Sequence, residues 1–329
     1  MDSDSDDEIS PSWILTPEEM LLKGLKFAGF SNQQIRNGNA RSNRERFIGQ
    51  YGANPIVSAH IWEDLQTVDV YDDDEKENIL PIPFNNLNPE YFLMALNFLK
   101  KCPTERDREC KFNVSHATAA KWTWYYLEKI QALKFYKIVW DEGKPDDIWI
   151  VSVDGTHCWI NEPKHPTLSQ DSSYYSHKYN KAGIDYELGI SLSQNRLVWM
   201  SGPFPAGDSD KTVFVMTDGL RDKLRDSGKR GIADRGYAGY EELSIPNAHD
   251  NSTVSLFKSR ALKRHEHFNG MTKTFECLSG RFRHSDARFA NCFESVCVIC
   301  QYQLEHGSPL FDILTPSMVH KFQSQQVAT

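Results

Sequence analysis

Apolar positions in the first 134 residues recur at helical spacing, whereas those after Pro145 gather into short runs of strand length. A helix is predicted from TPEEMLLKGL, where Thr16 caps and Glu18 and Glu19 suit the first turn. A second is predicted in NPIVSAHIWEDLQ (54–66). A third, PEYFLMALNFLKK (89–101), has apolar Phe92, Ala95, Leu96 and Leu99 on one face. Residues 103–134 give a short helix opened by Thr104, a tight turn at Asn113, Val114 and Ser115, and a longer helix from His116 to about Leu133. That outline fits two readings. One is a helix-turn-helix that lays the start of its second helix in a DNA major groove, with His116, Thr118 and Lys121 outward. The other is a plain helical hairpin whose Trp122, Trp124, Tyr125 and Tyr126 supply core.

The second half reads as α/β. DIWIVSVD (147–154) is a near-continuous apolar run, as a strand buried on both faces requires. YELGISL (186–192), Ser193-Gln194-Asn195 and RLVWMSG (196–202) form a β-hairpin pattern. One helix of about a dozen residues is predicted in DKTVFVMTDGLRDKL. The strand GIAD follows, then a short strand at TVSLF (253–257) and a long helical stretch from ALKRHEHFNG onward. Three strands, a helix, two strands and a helix predict a mixed five-stranded sheet flanked by helices, its first strand central. Right-handed crossover then sets the GIAD strand parallel to that central strand. Asp154 and Asp234 come to neighbouring strand ends, where ligands of open α/β sheets sit.

Charge changes the picture only once it is mapped. The formal net charge is −8, yet residues 1–99 hold 7 Lys and Arg against 17 Asp and Glu, while residues 151–329 hold 20 of each. The excess acid lies in MDSDSDDE and around 69–80, both read as solvated flexible segments. The rest of the chain is compatible with DNA. The expected organisation is an acidic tail (1–12), a helical region (13–146) with an acidic linker near 69–80, an α/β domain (147–306) and a C-terminal tail (307–329). No run reaches the roughly 18 apolar residues of a membrane span, so no membrane partner is expected. Seven cysteines without framework spacing suggest a reducing compartment. Cys297 and Cys300 match C-x-x-C but read as core on one helix face.

Two sheet carboxylates joined by Glu266, from a helix over the same edge, would offer hard oxygen donors to Mg²⁺. Two such ions about 3.5–4 Å apart stabilise the attacking and leaving oxygens of phosphodiester cleavage. Each acid also has an ordinary reading: Asp154 as a turn residue, Asp234 paired with Arg230 or Arg235, and Glu266 paired with Lys263 or Lys273. Asp208, Asp210 and Glu276 rank below the chosen three. Lys273, two helical turns after Glu266, projects on its face, where a cation would hold a DNA phosphate.

The run Asp154, Gly155, Thr156, His157, with KAGIDYELGISLSQNRLVWMSGPFPAG (181–207), IADRGYAG (232–239) and KSRALKRHEHFNGMTKTFECLSGRFRH (258–284), resembles the DDE transposases, closest to their Harbinger-like group. The resemblance covers roughly 147–305 and extends to the helix-turn-helix region upstream. It implies an RNase H-like catalytic domain, Asp154, Asp234 and Glu266 as catalytic and metal-binding residues, and two Mg²⁺ or Mn²⁺ ions. The related Tyr-Arg-Glu-Lys signature is only partly met: Lys273 is in place, but Leu262 stands where its Arg falls and Arg264 lies two residues nearer.

The function implied is a DNA transposase that cuts at element ends and joins the liberated 3′-hydroxyl to target DNA. Arg264, Lys273, Arg281 and Arg283 are the expected phosphate contacts, a solvated basic face being their ordinary reading. The resemblance further implies a homodimer or higher oligomer and a separate Myb-like DNA-binding partner. A nuclear location follows if the source is eukaryotic, a cytoplasmic one otherwise. The rival readings are a domesticated DNA-binding protein without cutting activity and a stand-alone metal-dependent nuclease.

Overall fold

The computed structural model describes residues 14–72, 76–163 and 171–316. The expected tails at 1–12 and beyond 316 lie outside the described residues. The helical half comprises α1 (Pro17–Phe27), α2 (Asn32–Asn37), α3 (Ala40–Tyr51), α4 (Pro55–Thr67), α5 (Pro89–Lys101), α6 (Glu105–Phe112), α7 (His116–Ala132) and the single turn α8 (Lys134–Lys137). Their starts obey local chemistry. Thr16 and Glu19 form a reciprocal capping box, as do Thr104 and Asp107, each cap worth about 1 kcal/mol. The acidic stretch near 69–80, expected as a flexible linker, instead pairs β1 (Val70–Asp72) with β2 (Glu77–Ile79), antiparallel, with Val70 and Asp72 buried.

The short-helix, turn, long-helix outline is present, with Asn113 in the left-handed region at φ 51° between α6 and α7. Asparagine tolerates that conformation better than a branched residue. Yet α7 is mostly a core helix: Thr123, Tyr126, Leu127 and Ile130 are buried, and it packs on α5. Arg108 of α6, itself buried, donates to Thr123 Oγ1 at 3.1 Å and pins the two helices together.

The second half comprises β3 (Trp149–Trp159), β4 (Tyr175–Ser176), β5 (Lys181–Ser191), β6 (Leu197–Pro205), α9 (Asp210–Phe214), α10 (Leu220–Ser227), β7 (Arg230–Ala233), β8 (Leu243–Ser244), α11 (Ser252–Lys273), α12 (Glu276–Ser279) and α13 (Asp286–His306). The sheet is mixed and has six strands. β3 pairs antiparallel with β5 and parallel with β7, β6 and β4 pair with β5, and β8 lies parallel outside β7. The predicted hairpin and the parallel crossover are both present.

Two predicted elements change. TVSLF is the first turns of α11, not a strand: Asn251 accepts from Val254 N at 2.9 Å and starts a helix whose buried Phe257, Ala261, Arg264, His265 and Phe268 follow helical spacing. The fifth strand is the two-residue β8. The single helix predicted over DKTVFVMTDGLRDKL breaks into α9 and α10 at Asp218, whose φ is 58°. One sheet face packs Val151, Val153 and Ala233 against Phe214, Leu220 and Leu224 of α9 and α10. The opposite face receives α11 and α13, with Tyr186 stacked on Phe293 at 4.0 Å. Because α13 also packs on α4 and α7, its buried Cys292, Val296, Cys297 and Cys300 belong to an apolar core that runs continuously from the sheet into the helical half.

Candidate active site

Asp154 stands on the central strand, and the strand continues five residues past it, so the acid is mid-strand rather than at the end. β7 runs parallel beside it with Val153 opposite Ala233. The next residues on the two strands, Asp154 and Asp234, therefore emerge side by side. Asp154 Oδ1 accepts from Gly155 N at 2.9 Å. Asp234 caps the turn 235–237 by accepting from Gly236 N at 2.8 Å. The loop fixes the Asp234 carboxylate, and the sheet aims it at Asp154.

A third acid joins them. Asp210, the first residue of α9, has Oδ1 2.9 Å from the position a Cβ would take on Gly155, and Oδ2 2.8 Å from that position on Gly236. Oδ1 of Asp234 is 2.9 Å from the same point on Gly236. Two missing side chains thus make the room in which Asp210 reaches both acidic segments. Burial, then the charge of Asp234, then that of Asp210, push the Asp154 carboxyl up to about 7, against the Gly155 N–H and Lys178. Asp210 is raised for the same kinds of reason, burial first and Asp234 second.

Behind Asp210 lies a buried acid. Glu187, opposite Gly155 on β5, is 2% exposed and accepts from Trp199 Nε1 at 3.0 Å through Oε2, while Oε1 has no partner. Burial holds its carboxyl at about 7. Glu187 and Asp210 line one cavity of about 10 Å³ together with Gly155, Asp185, Asp208 and Tyr237 among others.

On the other face, α11 is fastened along β3. His265 Nδ1 lies 3.1 Å from the Ser152 carbonyl, Thr156 Oγ1 donates to Asn269 at 2.7 Å, and the Lys273 ammonium donates to the His157 carbonyl at 2.6 Å. Burial drives His265 down to about 4, so it is neutral at physiological pH. Glu266 is exposed on this helix and carries no side-chain hydrogen bond or ion pair among the described residues. Strand register brings Asp154 and Asp234 together and the two glycines admit Asp210, while Glu266 follows His265 on α11, the helix fastened to Ser152 and Thr156 on either side of Asp154. Among the described residues no group of three or more His, Cys, Asp or Glu stands close enough to hold a metal ion.

The expected DNA contacts divide. Arg264 is buried, its guanidinium bonded to the carbonyls of Gln194 and Phe311 and, at 3.2 Å, to Asn195 Oδ1. It is a clamp inside the fold and not a solvent-facing cation. Lys273 is likewise turned inward onto β3. Arg283 is exposed but donates to the Cys102 carbonyl at 2.6 Å, whereas Arg281 is exposed beside the ring of Trp159. His116 lies 3.5 Å from Glu105, Thr118 closes on Ser115 at 2.9 Å, and Lys121 lies over Trp122 at 4.7 Å, all on the first turns of α7.

Residues 153–301, from Val153 of β3 to Gln301 of α13, match the family described as DDE superfamily endonuclease. No curated protein and no solved structure matches the chain. The matched segment contains Asp154, Glu187, Asp210, Asp234 and Glu266.

Proposed function

We propose that the chain is a DNA transposase of the Harbinger-like kind, cutting and joining phosphodiester bonds at the acidic centre built on Asp154 and Asp234. The observation that carries the reading is the parallel register of β3 and β7, which sets those two aspartates side by side within the matched segment.

The donor chemistry fits a hard divalent cation. Every candidate ligand is a carboxylate oxygen, and the negative charge at Asp154 is opposed by one exposed lysine, Lys178. Asp154 and Asp234 would hold Mg²⁺ or Mn²⁺, with Glu266 as the third ligand of this reading; the bound ions supply charge stabilisation to the attacking and leaving oxygens. The protein's own part is positioning. Gly155 and Gly236 donate to the two aspartates and fix their oxygens. Such preorganisation, and not covalent chemistry, is what phosphoryl transfer asks of a protein. In the same reading the exposed first turns of α7 contact end DNA through His116, Thr118 and Lys121, and the protein works in the nucleus as a dimer or larger assembly with a Myb-like partner.

One observation favours a second reading, a domesticated protein that binds DNA without cutting: among the described residues no group of three or more His, Cys, Asp or Glu stands close enough to hold a metal ion. Cleavage of a labelled duplex carrying the element's own ends, in Mg²⁺, Mn²⁺ or EDTA, separates the two. Metal-dependent cutting lost in Glu266→Gln supports the transposase. Binding of the ends without cutting, with the partner present or absent, supports the binding protein.

A further inference from the structure

Beyond Asp154, β3 carries different chemistry. Side chains alternate along a strand, so Gly155, His157 and Trp159 share one face. Trp159 is 38% exposed, with the Lys181 ammonium 4.8 Å and the Arg281 guanidinium 5.5 Å from its ring centroid. Arg281 is brought there because Phe282 N donates to the Trp159 carbonyl at 2.9 Å, adding the segment after α12 to the end of β3. Two residues nearer the acids, Tyr179 is 44% exposed and stacks on His157, centroids 4.3 Å apart and planes 21° from parallel. Asp185 holds that imidazole at 2.8 Å. The ring lies flat across β5 only because residue 183 is glycine; a Cβ there would fall 2.0 Å from His157 Cε1.

Lys178, beside Tyr179 in the turn between β4 and β5, is exposed, and its field reaches both Asp154 and Asp210. On a chain of net charge −8, three cations are thus gathered around two exposed rings. The stripe starts next to the acidic centre, and its strand positions advance by about 6.8 Å every second residue.

We propose that this stripe is a stacking platform for the unpaired bases of a single DNA strand leaving the acidic centre. Tyr179 and Trp159 each take the face of a base, and Lys178, Lys181 and Arg281 hold the phosphates between them. Aromatic faces accept any base once it is unpaired, which suits a site that grips a strand without reading it. The cations now resting on Trp159 are on flexible stems and move to the phosphates when the strand arrives. The inference rests on the endonuclease reading for the identity of the strand as DNA.

The test uses full-length protein in EDTA, so that nothing is cut. Fluorescence anisotropy is read with a fluorescein-labelled oligothymidine strand and with a blunt duplex of equal length. Trp159→Ala and Tyr179→Ala should each weaken single-strand binding about tenfold, with a much smaller effect on the duplex, while Trp159→Phe keeps most of the affinity. Arg281→Ala should lower the salt dependence by roughly one released counterion. If wild type binds the single strand and both alanine variants bind it equally well, the platform is wrong. The endonuclease reading then stands provided the same preparations nick plasmid DNA in Mg²⁺. A wild type that neither binds nor nicks overturns both.

Discussion

Replacing Asp154 with asparagine should make the metal-free protein more stable at alkaline pH, and the size follows from the site. The native carboxyl keeps its proton to about 7, whereas the free side chain releases it near 3.8. Between those values the native state binds more protons than the unfolded state, so stability falls as pH rises. Above about 7 both states are ionised and the penalty is constant. At 1.36 kcal/mol per pKa unit the ceiling is about 4 kcal/mol. About half of that is expected, because Asp234 and Asp210 share the repulsion and relax when Asp154 loses its charge. Asparagine keeps the oxygen that accepts from Gly155 N, so little else changes. Urea denaturation in EDTA at about pH 5 and about pH 8 should therefore show Asp154→Asn more stable than wild type by about 2 kcal/mol at the higher pH and by under about 1 kcal/mol at the lower. A variant no more stable than wild type at the higher pH would refute the crowding of charge inferred here.

Other outcomes follow from the same geometry. Gly236→Ala puts a methyl group 2.8 Å from Asp210 Oδ2 and 2.9 Å from Asp234 Oδ1; plasmid nicking should fall at least about tenfold while the circular dichroism spectrum is unchanged, since a displacement of about 1 Å costs that much or more. Arg264→Ala leaves the buried carbonyls of Gln194 and Phe311 without their donor and should lower stability by about 3 kcal/mol, measured by chemical denaturation, with no change in the salt slope of DNA binding.

How far the sequence reveals this site depends on the distance over which each contact acts. Helix α5 was legible to the residue because its pattern, its Asn88 cap and Pro89 are all local. The pairing of Asp154 with Asp234 was legible because apolar runs mark buried strands and the handedness of a crossover is nearly fixed. TVSLF misled because alternating apolar residues in five positions fit a strand as well as a helix; the deciding information was the Asn251 cap and the apolar positions further along. Asp210 lies two residues after Asp208, and no spacing rule ranks one above the other. What selects it is the vacancy at Gly155 and Gly236, residues distant in sequence. Arg264 and Lys273 show the converse. Helical spacing gives the face a cation occupies but not whether a carbonyl of another element is waiting there.

If Asp154 and Asp234 form one cation-dependent cutting centre, they must govern metal uptake and cleavage together, which paired Mn²⁺ titration and plasmid nicking measure. Wild type, Asp154→Asn and Asp234→Asn would be compared by calorimetry for Mn²⁺ uptake and by gel for nicking in Mn²⁺. Each substitution should weaken Mn²⁺ binding about tenfold or more and abolish nicking, while the denaturation midpoint is kept or raised. Undiminished Mn²⁺ binding and nicking in both folded variants would contradict it and move the chemistry elsewhere on the molecule.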